Sequence, residues 1–205
     1  MLDNEPEWLS KALNGDSQAF TYLVEAYARP VHNLCYRMLG NTQDAEDAAQ
    51  ETFLRAYQSL RRYDRDRSFS TWLLSIAAHY CIDQLRKRKM QIISMEELPN
   101  PDLPEPSPGP ESNLSRKEEQ NRIRAVLKVL DPIDRAAVIM YYWYDFSYDE
   151  ICQALSLTVS ALKSRLHRAR RLMAQEWLAS QSAAPGGLTP EMQQSESLMA
   201  ERMAP

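Results

Sequence analysis

The residues best placed for chemistry lie in "SYDEICQALSLTVSALKSRLHRARR", Ser147 to Arg171, which opens on the acids Asp149 and Glu150 and closes on a run of bases. From Thr158 onward it carries Lys163, Arg165, Arg168, Arg170 and Arg171 without an acid, and Arg86, Lys87, Arg88 and Lys89 form a second basic block. Guanidinium and ammonium groups at helical spacing suit phosphate oxygens and guanine edges. Bond-breaking chemistry has no comparable support. His32, His79 and His167 are far apart, and neither the three cysteines nor the carboxylates show the spacing of a metal set or an acid and base pair. No metal, no cofactor and no enzymatic activity are expected.

The basic run needs a helix to present it. Val159, Leu162, Leu166, Ala169 and Met173 recur at three and four residues, which predicts a buried stripe. At about 100° per residue the opposite side carries Ser164, Arg168 and Arg171, flanked by Lys163, Arg165 and His167. Thr158 is placed to cap this helix. Ser147 with Glu150 three later forms a capping box for a shorter helix before it, with Ile151, Ala154 and Leu155 inward and "SLT" as the turn. A short helix, a tight turn and a longer cationic helix is the helix-turn-helix arrangement, whose second helix enters the major groove. The competing reading of these charges is a plain solvated helix face.

The rest of the chain divides around "LPNPDLPEPSPGPESN", Leu98 to Asn113, where six prolines each remove a backbone donor and fix φ. Its acids favour an extended, solvated spacer. Strand-like alternation is nowhere sustained, so the expected fold is all-α: two small helical domains joined by a Pro-rich linker, the second containing the helix-turn-helix. The boundaries are 1–89 for the first domain, 90–116 for the linker, 117–178 for the second domain and 179–205 for a disordered tail rich in polar residues, glycine and proline.

Within the first domain, Leu9, Ala12 and Leu13 mark one helix, and Phe20, Leu23, Val24, Tyr27 and Val31 mark another that runs to a stop at Gly40. Asp44, Ala45, Glu46 and Asp47 open a third, continuing through Phe53, Leu54 and Tyr57, with acids where the helix dipole favours them. "RRYDRDRSFS" is expected to be a loop. Ser70 is the expected cap of a helix with Leu73, Ile76, Ala77 and Tyr80 inward. In the second domain, Ile123, Val126, Leu127 and Leu130 mark a helix, then Asp131 caps and Pro132 starts the next.

The 205 residues carry 28 acids and 24 bases, a net charge of −4 that leaves the distribution, not the total, to indicate a nucleic-acid partner. Three isolated cysteines argue against a disulfide framework and suit a reducing cytosol. No apolar run approaches bilayer length, and "MLDNEPEWLSKAL" lacks the basic start and apolar stretch of a secretion signal.

"SYDEICQALSLTVSALKSRLHRARRLM", preceded by "LDPIDRAAVIMYYWYDF", resembles the promoter-binding fourth region of bacterial extracytoplasmic-function sigma factors. "DAEDAAQETFLRAYQSL" resembles the second-region helix that this family sets against the RNA polymerase clamp, and "FSTWLLSIAAHYCIDQLRKRK" resembles its minus-10 helix. The resemblance covers roughly Ala19 to Lys89 and Val126 to Trp177, in the family's order. It implies an alternative-type sigma factor that binds core RNA polymerase and promoter DNA and supports strand opening, with an anti-sigma factor as a further partner. The implied location is the bacterial cytoplasm, with nucleoid association when polymerase-bound. Carried over by position, Asp44, Glu46, Asp47, Gln50 and Glu51 meet core polymerase. Arg61, Tyr63, Arg65, Arg67, His79, Arg86 and Lys87 meet the minus-10 element, Tyr63 by stacking on a base and the loop arginines by holding phosphate. Thr158, Lys163, Ser164, Arg165, His167, Arg168 and Arg171 meet the minus-35 element. The linker acids would thread a positively lined cleft.

The chain departs from the family in two places: Ala78 and His79 stand where Arg and Asn are usual, and Ser156 stands at a turn position that is normally Gly. The alternative function is an autonomous helix-turn-helix regulator with an N-terminal protein-interaction domain.

Overall fold

The computed structural model describes residues 4–95 and 114–182, and the described residues contain helices and no strand. In chain order these are α1 (Glu5–Leu13), α2 (Ser17–Leu39), α3 (Thr42–Ser59), a short 3-10 turn (Leu60–Arg62), α4 (Phe69–Met95), α5 (Leu114–Lys128), α6 (Pro132–Trp143), α7 (Tyr148–Leu155) and α8 (Val159–Ser182). The all-α fold read from the periodicity is what forms.

Short-range chemistry sets most helix ends. Asp16 accepts from the Gln18 and Ala19 amides and starts α2, and Gly40 stops it at φ 86°, where a glycine has no Cβ to clash. Asn41 caps α3 by accepting from the Asp44 amide. Asp131 accepts from the Ile133 amide ahead of Pro132, whose missing donor costs nothing in the first turn.

Three boundaries differ from expectation. α4 begins at Phe69, so Ser68 and not Ser70 holds the capping position, with the two hydroxyls 2.6 Å apart. α4 also continues to Met95, and α5 begins at Leu114, both inside the segment assigned to the linker. No helix breaker follows Lys89 until Pro99, and "SRKEEQ" is made of good helix formers apart from its serine. α8 likewise runs past Trp177 to Ser182. The Pro-rich stretch Leu98 to Asn113 and the tail from residue 183 lie outside the described residues.

The first core is formed by Leu23, Val31, Leu34 and Met38 of α2, Ala45, Ala48 and Ala56 of α3, and Leu73, Leu74 and Ala77 of α4. Alanines on α3 let it approach α2 closely. Each fully buried leucine here contributes about 1.5–3 kcal/mol. The Cys35 and Cys81 side chains meet inside this core, and their contact together with burial pushes the Cys81 thiol far above its ordinary pKa.

In the second unit Leu162, Leu166, Ala169 and Met173 of α8 share a core with Val126 and Leu127 of α5, with Leu130 in the turn after it, and with α6. Val159, assigned to that stripe, is the first residue of α8 and stays 40% exposed. α6 is buried on every side from residue 134 to 140, Asp134 and Arg135 included. A helix hidden all round has neighbours on both flanks. α6 packs on α7 and α8 within its own unit and on α2 and α4 of the first.

Candidate nucleic-acid interface

α8 leaves the turn with its first amides directed by Thr158, whose hydroxyl accepts from the Ala161 amide at 3.2 Å. Ser156 ends α7 in the left-handed region at φ 55° and ψ 46°, so the conformation that favours glycine is adopted here by a serine. The capping box is complete: the Ser147 amide donates to Glu150 at 2.9 Å, and the Glu150 amide donates to the Ser147 hydroxyl at 3.2 Å. These bonds hold the Glu150 carboxyl below its ordinary pKa, the Ser147 amide contributing most.

With α7 and α8 fixed, Lys163, Ser164, His167, Arg168 and Arg171 stand exposed on one side of α8. Arg165 does not join them. It donates to Asp134 of α6 at 2.6 Å and is largely enclosed, because it lies about 60° from the Leu162 stripe and so leans toward α6. The side chain expected to contact DNA thus ties α8 to α6 in this structure. Arg170 flanks the other edge of the stripe and donates to the Tyr142 hydroxyl at 3.0 Å. Of the five cations in this run, three therefore remain for solvent or a ligand.

The acidic helix α3 shows a similar sorting. Glu46, Asp47 and Gln50 are exposed, while Glu51 is half-buried and accepts from Arg55 at 2.7 Å. Asp44 instead faces Arg88 of α4 at 2.6 Å. Burial opposes its ionisation, yet hydrogen bonds from Asn41 and Arg88 hold the carboxyl below its usual range. Asp44 thus fastens α3 to α4, a duty that sequence spacing did not reveal because Arg88 is 44 positions away.

Leu54 and Tyr57, two of the apolar residues through which this helix was expected to continue, are 51% and 53% exposed. Leu54 lies seven residues after Asp47, on the same side of the helix, so the acidic strip continues into an apolar one. The signal was available: Ala45, Ala48, Thr52 and Ala56 already form a complete inner face of small residues.

The loop after α3 presents Arg61, Arg65 and Arg67 to solvent. Tyr63 departs from expectation. It is 8% exposed, its ring centroid lies 5.1 Å from Trp72 and 5.7 Å from Phe69, and its hydroxyl donates to the Arg67 carbonyl. Packed edge-on and tilted against these aromatic neighbours, the buried ring shapes the loop. On α4, His79, Arg86 and Lys87 are exposed, with a His79 ring nitrogen 2.8 Å from the Ser75 carbonyl. Ala78 is fully buried. Among the described residues no group of His, Cys, Asp or Glu could hold a metal ion, and no helix is long and apolar enough to cross a membrane.

Residues 23–90 match the family model described as Sigma-70 region 2, and residues 120–173 match that described as Sigma-70, region 4. The ECF RNA polymerase sigma factor SigW of Bacillus subtilis (strain 168) is 33% identical over 172 residues, covering 80% of this chain and 92% of that protein. Two solved structures share the fold. CnrH in complex with the cytosolic domain of CnrY gives a TM-score of 0.63 at 21% identity, covering 86% of this chain and 99% of that one. The sigma factor RpoE in complex with the anti-sigma factor NepR, from Bartonella quintana, gives 0.59 at 20% identity, covering 77% and 95%.

Proposed function

The chain belongs to the extracytoplasmic-function sigma factors of the sigma-70 family, and on that premise we propose how its surfaces divide the work of initiation. As a sigma factor it binds core RNA polymerase, recognises promoter minus-10 and minus-35 elements and supports DNA opening. The exposed side of α3, with Glu46, Asp47, Gln50 and the continuing Leu54, is the core-polymerase surface. Glu51 sits at its edge. The side of α4 with His79, Arg86 and Lys87, together with the loop cations Arg61, Arg65 and Arg67, takes the minus-10 element.

Lys163 and Ser164, close to the start of α8, take base edges in the minus-35 element, since recognition helices dock by their N-terminal part. Arg171, farther along, takes phosphate, with His167 and Arg168 beside it. Thr158 shapes the helix start. The chain itself is non-catalytic and cytoplasmic, and nucleotide addition belongs to the core.

An anti-sigma factor is the further protein partner, supported by the RpoE relative that is held by NepR. The domain limits 1–89, 90–116, 117–178 and 179–205 belong to the same proposal, with the helical extensions of α4, α5 and α8 added at their edges. The observation that carries the reading is the pairing, in order along one chain, of an acid-faced α3 and basic α4 with a capped, cation-faced α8.

Transcription from a promoter library by core polymerase with and without the chain tests it. Promoter-specific initiation that depends on the chain is expected. Its absence, together with tight binding to duplex DNA without core, would mark an autonomous regulator instead.

A further inference from the structure

α1 lies ahead of the region-2 match, which begins at residue 23, and no surface assigned above uses it. Its placement is nevertheless specific. Asn14, Gly15 at φ 97° and the Asp16 cap reverse the chain, so α1 runs back along α2, with Trp8 against Tyr22 at 5.6 Å and Glu5 against Tyr27. The Tyr27 hydroxyl donates to the Glu5 carboxylate at 2.5 Å, the length of a charge-assisted bond. Glu5 is only 9% exposed. Burying a carboxylate is costly, and here its place in the first turn of α1 and the Tyr27 bond offset that cost. Burial pushes the Tyr27 hydroxyl above its ordinary pKa and the bond to Glu5 adds to it, so the hydroxyl stays a donor.

Tyr27 carries that anchor to the loop after α3. Its ring centroid lies 5.5 Å from Phe69 at 72°, Phe69 meets Tyr63 edge-on at 5.7 Å, and Trp72 closes the group at 5.1 Å from Tyr63 and 5.6 Å from Phe69. The loop itself is a tight turn. The Asp64 carboxylate accepts from the Asp66 amide at 3.1 Å, the Asp64 carbonyl accepts from the Arg67 amide at 3.1 Å, and the Arg67 guanidinium pairs with Asp64 at 3.7 Å. A turn braced by its own bonds moves as a unit, and Tyr63 and Phe69, the buried residues at its two ends, attach it to the body. Where that aromatic base sits therefore sets where Arg65 and Arg67 are presented.

We infer that Glu5 is a positioning residue for minus-10 recognition, acting through Tyr27 and the group of Phe69, Tyr63 and Trp72 to fix the loop that presents Arg65 and Arg67. The inference rests on the sigma-factor reading above. Phosphate contacts set the register of a strand and base contacts read it, so a loop held in a different place changes which bases meet α4. Glu5 is itself enclosed and makes no DNA contact in this role.

Holoenzymes assembled from core polymerase and the full chain, native or variant, are ranked over promoter libraries randomised in the minus-10 or the minus-35 element. A smaller folded fraction lowers initiation at every promoter alike and leaves both rankings intact, whereas a displaced loop alters the minus-10 ranking alone. Glu5→Ala and Tyr27→Phe are each expected to compress the spread between preferred and disfavoured minus-10 sequences about fivefold, the lower end of what one base contact supplies. Because both cut the same bond, the double variant goes no further than either single one. Glu5→Gln keeps an oxygen that accepts from Tyr27 and retains the native ranking. The minus-35 ranking stays native in every variant.

Native minus-10 rankings in both Glu5→Ala and Tyr27→Phe, equal compression at minus 35, additive losses in the double variant, or a Glu5→Gln chain as impaired as Glu5→Ala each overturn the positioning role. Tyr27→Phe keeps the ring and its packing on Phe69, so it decides the question where Glu5→Ala does not fold. A native chain that directs no initiation at any promoter overturns the sigma-factor reading instead.

Discussion

Replacing Arg165 by alanine is expected to act on folding, and replacing Arg168 and Arg171 to act on DNA, although all three belong to one basic run. The Arg165 guanidinium sits 2.6 Å from Asp134, with side-chain exposures of 27% and 10%. Exposed ion pairs contribute about 0–1 kcal/mol, whereas truncating one member of a fully buried pair costs about 3–5 kcal/mol because the other charge is stranded. Here the carboxylate is nearly enclosed, but it lies in the first turn of α6, where the dipole still favours it. A loss of about 2 kcal/mol follows. In a unit of this size each kcal/mol shifts Tm by roughly 4–8 °C, so a fall on the order of 10 °C is expected.

The double variant Arg168→Ala, Arg171→Ala removes no buried group and keeps high helix propensity, so its melt stays within about 0.5 kcal/mol of native. Its promoter binding weakens, and the salt slope falls by about 0.9 for each phosphate that the variant no longer neutralises. If one of the two reads a guanine, discrimination at one base pair drops by about 1–3 kcal/mol with little change in slope.

Thermal melts followed by circular dichroism, alongside holoenzyme binding at several salt concentrations, separate the cases. An Arg165→Ala chain that melts as native yet loses affinity and slope would refute the assignment of that side chain to Asp134. A folded double variant with native affinity, slope and preference would return the α8 face to plain solvated surface.

Asp47→Lys with Glu51→Lys should weaken core binding by about 1 kcal/mol or more per reversed charge and, because Glu51 also pairs with Arg55, lower stability by no more than about 1 kcal/mol. A pull-down with undiminished core would contradict the α3 assignment. His79→Asn should shift the preferred minus-10 sequence, because an imidazole cannot present an amide's paired donor and acceptor; identical sequences selected by both proteins would remove His79 from direct readout. Ser156→Gly relieves about 1–2 kcal/mol of left-handed strain against about 0.5–1 kcal/mol of added unfolded freedom, so denaturant unfolding should show a net gain, and a loss would refute the strain argument. Glu150 has a folded pKa below its ordinary 4.5, so its stabilisation is full above about pH 4.5 and is lost as pH falls through the lower folded value. Glu150→Gln should flatten that part of an acid titration, and an unchanged profile would count against it.

What the sequence made legible was whatever a few neighbouring residues decide. Asp131 with Pro132, Ser147 with Glu150, Thr158 and Gly40 act within one turn, and each end forms as read. The period likewise located the α8 stripe of Leu162, Leu166, Ala169 and Met173. What escaped depends on partners distant in sequence. A helical wheel places Arg165 on the flank of that stripe but cannot say that Asp134 waits there, and an apolar residue such as Leu54 does not reveal that small residues already fill the inner face of α3. Tyr63 is buried by Phe69 and Trp72 across a loop without a period of its own. The burial of residues 134–140 of α6, which packs on α2 and α4 as well as on α7 and α8, reflects contact between the two units, which no pattern within either one encodes.

The placement of the three cysteines gives the molecule its own gauge of local opening. Cys35 and Cys81 meet in the core of the first unit, and Cys152 is buried on α7 in the second. A thiol reagent reaches such groups only through transient unfolding, so under native conditions its rate follows the free energy of each opening. Cys35 and Cys81 report on α2 against α4, and Cys152 reports on α7, which packs on α4 as well as on α6 and α8. Mass spectrometry of the modified peptides then yields two stabilities from one untagged chain, in the presence of DNA or polymerase as readily as without them.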